Sequence, residues 1–260
     1  GGGLSATPRP GAVEYAGTTP RPRPPLFAPG GVGGAPRPPG GAPPPRPGST
    51  PAPHPGEGPE RAGLPPQATD RVLVLLHGRG DSPAGILRLV DDIYERGVRY
   101  LAPAAAGRVW YPGELTDPVT DRRQAYLDSA FGQVERALDE AEAIGVAPGD
   151  VVLAGFSQGA SVATEFAMRR PRRYGGLVAL AGGLLGPTDE LEARDGSLDG
   201  TPAVCGVGSE APNISVEHAE TTAAALSEMG ADASAETYQG VGHAIGDGAV
   251  ETLRRLTRRD

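Results

Sequence analysis

The chain has 260 residues, a formal net charge of −8 and no Lys, so all its basic residues except His are Arg. An acidic surface repels phosphate backbones and anionic lipid headgroups, which disfavours nucleic acid and membrane surfaces as partners. No stretch approaches the roughly 20 apolar residues of a membrane span, and the single cysteine, Cys205, excludes an intramolecular disulfide. The lack of an apolar signal segment favours a cytoplasmic location, while a first residue other than Met leaves export open.

The first 62 residues differ in composition from the rest of the chain. They contain 18 Pro and 14 Gly, and six Arg against three Glu give this segment a charge of about +3. Pro and Gly oppose regular structure, and the few large apolar side chains present cannot form a core. We therefore predict a disordered Pro/Gly/Arg-rich arm at 1–62 and one acidic α/β domain at 63–260. The Pro-x-x-Pro run at 36–39 fits either a plain linker or a ligand for a Pro-recognising module.

From residue 71 onward, short apolar runs alternate with amphipathic stretches. The apolar runs predict strands at 71–77, 98–103, 151–156, 175–181, 202–207 and 233–238. The amphipathic stretches predict helices at 82–97, 122–144, 158–170, 215–229 and 248–259. Strands that alternate with helices through short links indicate a doubly wound, mostly parallel α/β sheet with helices on both faces.

The motif Gly155-Phe156-Ser157-Gln158-Gly159 joins a predicted strand directly to a predicted helix. This context is the one that a nucleophile elbow requires, because a tight strand-to-helix turn lifts the central Ser above the sheet. Residues two before and two after the Ser must be small in such a turn. The sequence therefore indicates Ser157 as a catalytic nucleophile.

A serine nucleophile needs a base and two oxyanion donors. Of the four His, His243 lies in a Gly-rich loop just after the last predicted strand, where an α/β-hydrolase has its base. His77 ends the first strong strand, and we predict a structural role for it. His218 is predicted to be a solvated helix residue. The backbone N–H groups of Arg79 and Gln158 are the candidate oxyanion donors.

Four motifs in this order resemble the phospholipase/carboxylesterase family of α/β-hydrolases, which includes the acyl-protein thioesterases. The resemblance covers roughly residues 60–260 and is carried by Leu75-Leu-His-Gly-Arg-Gly-Asp81, Trp110-Tyr-Pro112, Gly155-Phe-Ser-Gln-Gly159 and Tyr238-Gln-Gly-Val-Gly-His243. It implies hydrolysis of a carboxylic ester or thioester without metal or organic cofactor. It also implies that Trp110 and Tyr111 flank the acyl pocket, although ordinary loop packing explains these two residues equally well.

The triad acid departs from the family pattern. The family has an Asp directly before a Pro after the sixth core strand, but here Pro212 follows Ala211. Glu210, one residue early, is the only carboxylate in this loop. Either Glu210 orients His243, or a water or backbone carbonyl does, or catalysis is much slowed.

The sequence thus predicts a serine carboxylesterase or thioesterase that acts on a small acyl ester through a Ser157 acyl-enzyme, with His243 as base. The alternative is a catalytically degenerate α/β-hydrolase that binds an acyl ligand or a protein. The loss of an Asp at position 211 supports that alternative. The oligomeric state stays open, a homodimer included.

Overall fold

The computed structural model describes His54 and residues 58–258, so most of the predicted arm lies outside the described residues. A seven-stranded sheet has the order β1-β3-β2-β4-β5-β6-β7. Its strands are β1 (Glu60–Gly63), β2 (Arg71–Leu76), β3 (Val98–Ala102), β4 (Val151–Phe156), β5 (Gly176–Leu180), β6 (Pro202–Gly208) and β7 (Asp232–Tyr238). Only β1 runs antiparallel to its neighbour, and the other five pairings are parallel. The predicted α/β fold with a mostly parallel sheet is confirmed.

Six α-helices connect and cover the strands within the described part of the chain. They are α1 (Pro83–Leu87), α2 (Val90–Ile93), α3 (Asp121–Ala143), α4 (Gln158–Arg169), α5 (Val216–Glu228) and α6 (Asp247–Thr257). The single helix predicted at 82–97 is two short ones. The N–H groups of Arg88 and Leu89 bond carbonyls three residues back, which tightens the turn and interrupts the α-helix. Across the described residues, we find no helix both long and apolar enough to span a membrane.

The edge strand β1 lies at the junction of the predicted arm and domain. It pairs with β3 in the register Glu60↔Ala102, so residues 60–62 belong to the sheet and not to a separate arm. Both side-chain bonds from Arg61 to Glu140 of α3, each 2.7 Å, fasten this strand to the helix. Four mostly exposed residues carry no alternating apolar pattern, which is why the sequence does not distinguish them from the preceding segment.

The functional loops follow the carboxyl ends of four parallel strands. Strand β4 is buried along its whole length, as expected for a central strand covered on both faces. Strands β2, β4, β6 and β7 run in the same direction, so the loops that follow them meet at one edge of the sheet. This arrangement brings Ser157, His243 and the predicted oxyanion loop to the same place.

Candidate active site

Ser157 occupies the tight turn between β4 and α4. Its backbone has φ 54° and ψ −120°, a conformation that a side-chain-bearing residue rarely adopts. The turn is held by the Ser157 N–H, which donates to the carbonyl of Leu180 at 2.8 Å. A Cβ on Gly155 would lie 2.3 Å from the carbonyl of Gly159, and one on Gly159 would lie 2.1 Å from the carbonyl oxygen of Leu76. The backbone therefore requires glycine on both sides of Ser157.

We predict that Gly159→Ala destabilises the protein by about 3 kcal/mol, the upper range for overpacking a close-packed site. The new methyl group would contact the carbonyl oxygens of Leu76 and His77, at 2.1 and 2.6 Å, and backbone in the sheet cannot move aside cheaply. Denaturant unfolding measures the change. Gly132→Ala in α3 is the control, because its Cβ would have no neighbour within 4 Å and Ala favours the helix by about 0.5–1 kcal/mol. Equal stability of Gly159→Ala and wild type would contradict the close approach.

The side chains of Ser157 and His243 are within hydrogen-bond distance. Nε2 of His243 lies 3.0 Å from the Ser157 hydroxyl oxygen, a separation suited to proton transfer from the hydroxyl. The imidazole packs against the ring of Phe156, with 4.9 Å between the ring centroids. Burial lowers the pKa of His243 from its usual value, so the imidazole is neutral and able to accept a proton at neutral pH.

The other nitrogen of His243 has no acceptor. Nδ1 is buried and forms no hydrogen bond with any described residue. Glu210 is exposed, its backbone N–H donates to the carbonyl of Val241 at 2.9 Å, and its carboxylate forms no hydrogen bond with His243. The structure therefore does not bring the Glu210 carboxylate to His243.

The two predicted oxyanion donors lie on either side of Ser157 in the same cleft. Gln158 is the first residue of α4, where the N–H groups have no partner within the helix, and Arg79 follows β2 in the loop that also lines the cleft. The Arg79 side chain donates to the carboxylate of Glu114 at 2.9 Å. The side-chain amide of Gln158 donates to the carbonyl of Tyr111 at 2.8 Å. Both side chains thus have protein partners, and the backbone N–H groups of these two residues stay the predicted oxyanion donors.

Trp110 and Tyr111 differ in their positions. Tyr111 lines the cleft, burial raises the pKa of its hydroxyl to about 12, and the Arg123 guanidinium lies 4.7 Å from its ring centroid. Trp110 is fully buried and is absent from the cleft wall. Its indole N–H donates to the carbonyl of His77 at 2.8 Å. Of the two predicted substrate contacts, Tyr111 therefore lines the cleft, whereas the ring of Trp110 packs behind its wall.

The remaining histidines are structural. His77 is buried, with Nδ1 2.8 Å from the carbonyl of Gly78 and Nε2 accepting from the Ala105 N–H at 3.3 Å. His218, predicted to be solvated, is in fact buried, with Nδ1 2.9 Å from the Thr188 hydroxyl and Nε2 2.9 Å from the carbonyl of Leu184. The prediction for His218 was wrong because the loop after β5 folds over α5. His54 is also buried, and no sequence pattern indicates it.

A cleft of about 530 Å³ opens in front of Ser157 and His243. Its wall combines apolar side chains with charged ones: Tyr111, Leu115, Phe156 and Ala181 on the one hand, and Arg79, Asp81, Arg88 and Glu114 on the other. No group of His, Cys, Asp or Glu in the described part of the chain is arranged to hold a metal ion. Burial raises the pKa of Cys205 to about 12, so its thiol is not a competing nucleophile.

This sheet, with a serine on a sharp strand-to-helix turn and a histidine after the last strand, defines the α/β-hydrolase class. The model of the phospholipase/carboxylesterase family matches residues 63–258, and the chain belongs to that family of hydrolases. The family assignment makes it an enzyme of the carboxylic ester hydrolase class.

Individual relatives agree with this assignment. Esterase YpfH of Escherichia coli is 26% identical over 202 residues, covering 72% of this chain and 82% of the esterase. Acyl-protein thioesterase 1 of Gibberella zeae is 30% identical over 118 residues, covering 44% of this chain and 50% of the thioesterase. The crystal structure of a phospholipase/carboxylesterase from Dyadobacter fermentans superposes with a TM-score of 0.73 at 30% identity, covering 81% of this chain and 100% of that one.

Proposed function

We propose that the protein hydrolyses a carboxylic ester or thioester of a small acyl group through a covalent Ser157 acyl-enzyme. The observation that carries the proposal is the 3.0 Å contact between Ser157 Oγ and His243 Nε2 at the mouth of the cleft. The names of the relatives, an esterase and acyl-protein thioesterases, support both oxygen esters and thioesters as substrates.

In the first half of the reaction, Ser157 Oγ bonds to the acyl carbon while its proton passes to His243 Nε2. The carbonyl oxygen becomes an oxyanion, which accepts hydrogen bonds from the Arg79 and Gln158 N–H groups. The bond to the alcohol or thiol then breaks, and the imidazolium protonates that leaving group. In the second half, His243 takes a proton from water as it attacks the acyl-enzyme, and collapse releases the acid and restores Ser157.

The shape of the cleft supports a short acyl group. The volume of about 530 Å³ lies in the lower half of the roughly 300–1,000 Å³ range of ligand sites, and Tyr111, Leu115 and Phe156 supply its apolar wall. The charged side chains of the same cleft offer polar contacts for the alcohol or thiol part of the substrate. We therefore propose Tyr111 as a substrate contact and assign Trp110 to support of the wall.

A second candidate function rests on one specific observation. His243 Nδ1 lacks the carboxylate that would stabilise the imidazolium, since Ala211 occupies the acid position. A fold that lacks this carboxylate can bind an acyl ligand in the same cleft without hydrolysing it. The family assignment and the Ser157–His243 contact favour the enzyme over this binding module.

Labelling with a fluorophosphonate probe separates the two functions. We expect the full-length protein to gain one probe per chain on Ser157, measured by intact mass and peptide mapping, because only an activated serine attacks the phosphorus. Ser161 is the internal control, because it lies one turn further along α4 and also lines the cleft, whereas the hydroxyl at His243 Nε2 is that of Ser157. We expect peptide mapping to find no probe on Ser161. A chain that stays unlabelled at probe saturation would favour the binding module.

A further inference from the structure

His54 lies 17 residues before β2, within the segment assigned to the arm, yet it is buried against the domain. Its backbone N–H donates to the hydroxyl of Ser129 in α3 at 2.9 Å. Its Nδ1 accepts a hydrogen bond from the N–H of Ala106 at 2.8 Å. These two bonds attach residue 54 to α3 and to the loop between β3 and α3.

The bond to Ala106 satisfies a backbone N–H at the start of a helical turn. Ala106 begins a 3₁₀ turn at 106–108, and the first N–H groups of a helical turn have no partner within it. The preceding N–H, from Ala105, donates to Nε2 of His77. Two histidine rings therefore accept consecutive backbone N–H groups at the start of this turn. Because His54 Nδ1 is an acceptor, the ring is neutral, in agreement with burial lowering its pKa.

The same two rings flank Trp110. The ring centroid of His77 is 5.0 Å and that of His54 is 5.5 Å from the centroid of Trp110. The Trp110 indole donates to the carbonyl of His77, directly before the loop that carries the Arg79 N–H. The Trp110 backbone N–H donates at 3.1 Å to the side chain of Gln158, which holds the second candidate oxyanion donor. Trp110 thus connects both sides of the oxyanion hole.

We infer that His54 is a positioning residue for the oxyanion hole, acting through Trp110. This inference rests on the proposed function, since a hole is needed only if Ser157 is acylated. His54 contacts neither Ser157 nor the cleft, and its effect is to hold the 105–110 loop against Gln158 and His77. A loss of this support would displace the two N–H donors by fractions of an ångström, and misplaced donors cost rate more than substrate affinity.

The test compares two substitutions in the full-length chain. His54→Phe fills the site with a ring but removes the acceptor, whereas the amide oxygen of His54→Asn occupies about the position of Nδ1. We expect His54→Phe to lower the rate of Ser157 labelling by a fluorophosphonate about tenfold, and kcat on an aryl ester likewise with little change in KM. His54→Asn is expected to stay within about twofold of wild type. A purely packing role would give the opposite order.

The fluorescence of Trp110 is an independent measurement, because Trp110 is the only tryptophan in the sequence. We expect acrylamide to quench its fluorescence weakly in wild type and His54→Asn, and more strongly in His54→Phe. If His54→Phe does not fold, Ser129→Ala takes its place. This substitution removes the acceptor of the His54 N–H, and Ala has a higher helix propensity than Ser, so α3 is not weakened. It is expected to move both readings in the same direction.

The inference would be overturned if labelling and quenching in His54→Phe equal those of wild type. If His54→Phe does not fold, the same result in Ser129→Ala would overturn it. Either result leaves the proposed function standing. A wild type that is never labelled would instead overturn the proposed function, and the positioning role of His54 with it. In that case the quenching data would still report whether His54 covers Trp110, so the two failures are distinguishable.

Discussion

Replacement of Ser157 by Ala is expected to lower kcat on a short-chain aryl ester by about 10⁴ to 10⁶, or roughly 5.5 to 8 kcal/mol of barrier. Among the described residues, Ser157 is the side chain that contacts His243 Nε2, at 3.0 Å, so we expect it to be the group that forms the acyl-enzyme. Residual hydrolysis above the water rate would come from the oxyanion donors and from substrate binding, which the substitution leaves in place. Steady-state kinetics of the purified variant measure the loss.

The same variant also tests the backbone of the turn. Ala has the φ preference of Ser, so the strained conformation is kept, and the thermal midpoint should stay within a few degrees of wild type. Ser161→Ala, one turn along α4, is the control, and we expect it to retain most of the activity. Equal hydrolysis by wild type and Ser157→Ala would show that the nucleophile has been assigned wrongly.

The sequence predicts the central sheet and the Ser–His pair well for a physical reason. A buried parallel strand is a continuous apolar run, and β4 is buried along its whole length, so its pattern is unambiguous. Gly155 and Gly159 mark the elbow because their Cβ positions are already occupied by backbone. The position of His243 then follows from chain order, since a loop after the last parallel strand ends beside the serine.

Features that depend on tertiary contacts could not be predicted in this way. His54 sits among Pro and Gly with no periodic neighbours, and its burial results from two single hydrogen bonds to distant parts of the chain. The indole of Trp110 points into the protein because the carbonyl of His77 accepts its N–H. His218 is buried by the loop after β5, where the Thr188 hydroxyl and the Leu184 carbonyl contact its ring. Local patterns carry no information about such long-range partners.

The incomplete triad is the feature with the clearest consequence for rate. An acid orients the imidazole and stabilises the imidazolium, and loss of a well-placed one can cost on the order of 10⁴ in kcat. Nδ1 of His243 is buried without an acceptor among the described residues, and residue 211, where the family has its Asp, is Ala. The wild-type enzyme is therefore expected to be slow, with its rate limited by formation of an unsupported imidazolium.

Ala211→Asp is accordingly expected to raise kcat/KM by at least tenfold. The loop already has the needed register, because the Glu210 N–H bonds the carbonyl of Val241 beside His243. A carboxylate at residue 211 would accept a hydrogen bond from Nδ1–H and stabilise the charged form of the base. Glu210→Gln should change the rate by less than about twofold, since its side chain is exposed. Both variants are measured with one aryl ester between pH 5 and 9.

The pH dependence of the rate is a second test of the Ala211→Asp prediction. Catalysis needs neutral His243, so the rate rises with pH through the pKa of that residue, and burial lowers this pKa below 6.5 in wild type. A nearby carboxylate favours the imidazolium and raises the pKa of His243. In Ala211→Asp the acidic limb of the profile, where the rate rises with pH, should therefore move up by about one pH unit or more. Ala211→Asn, of the same size but uncharged, is expected to leave the limb in place. A wild type that is fast, and whose rate and profile are unchanged by Ala211→Asp, would mean that another group supplies the acid.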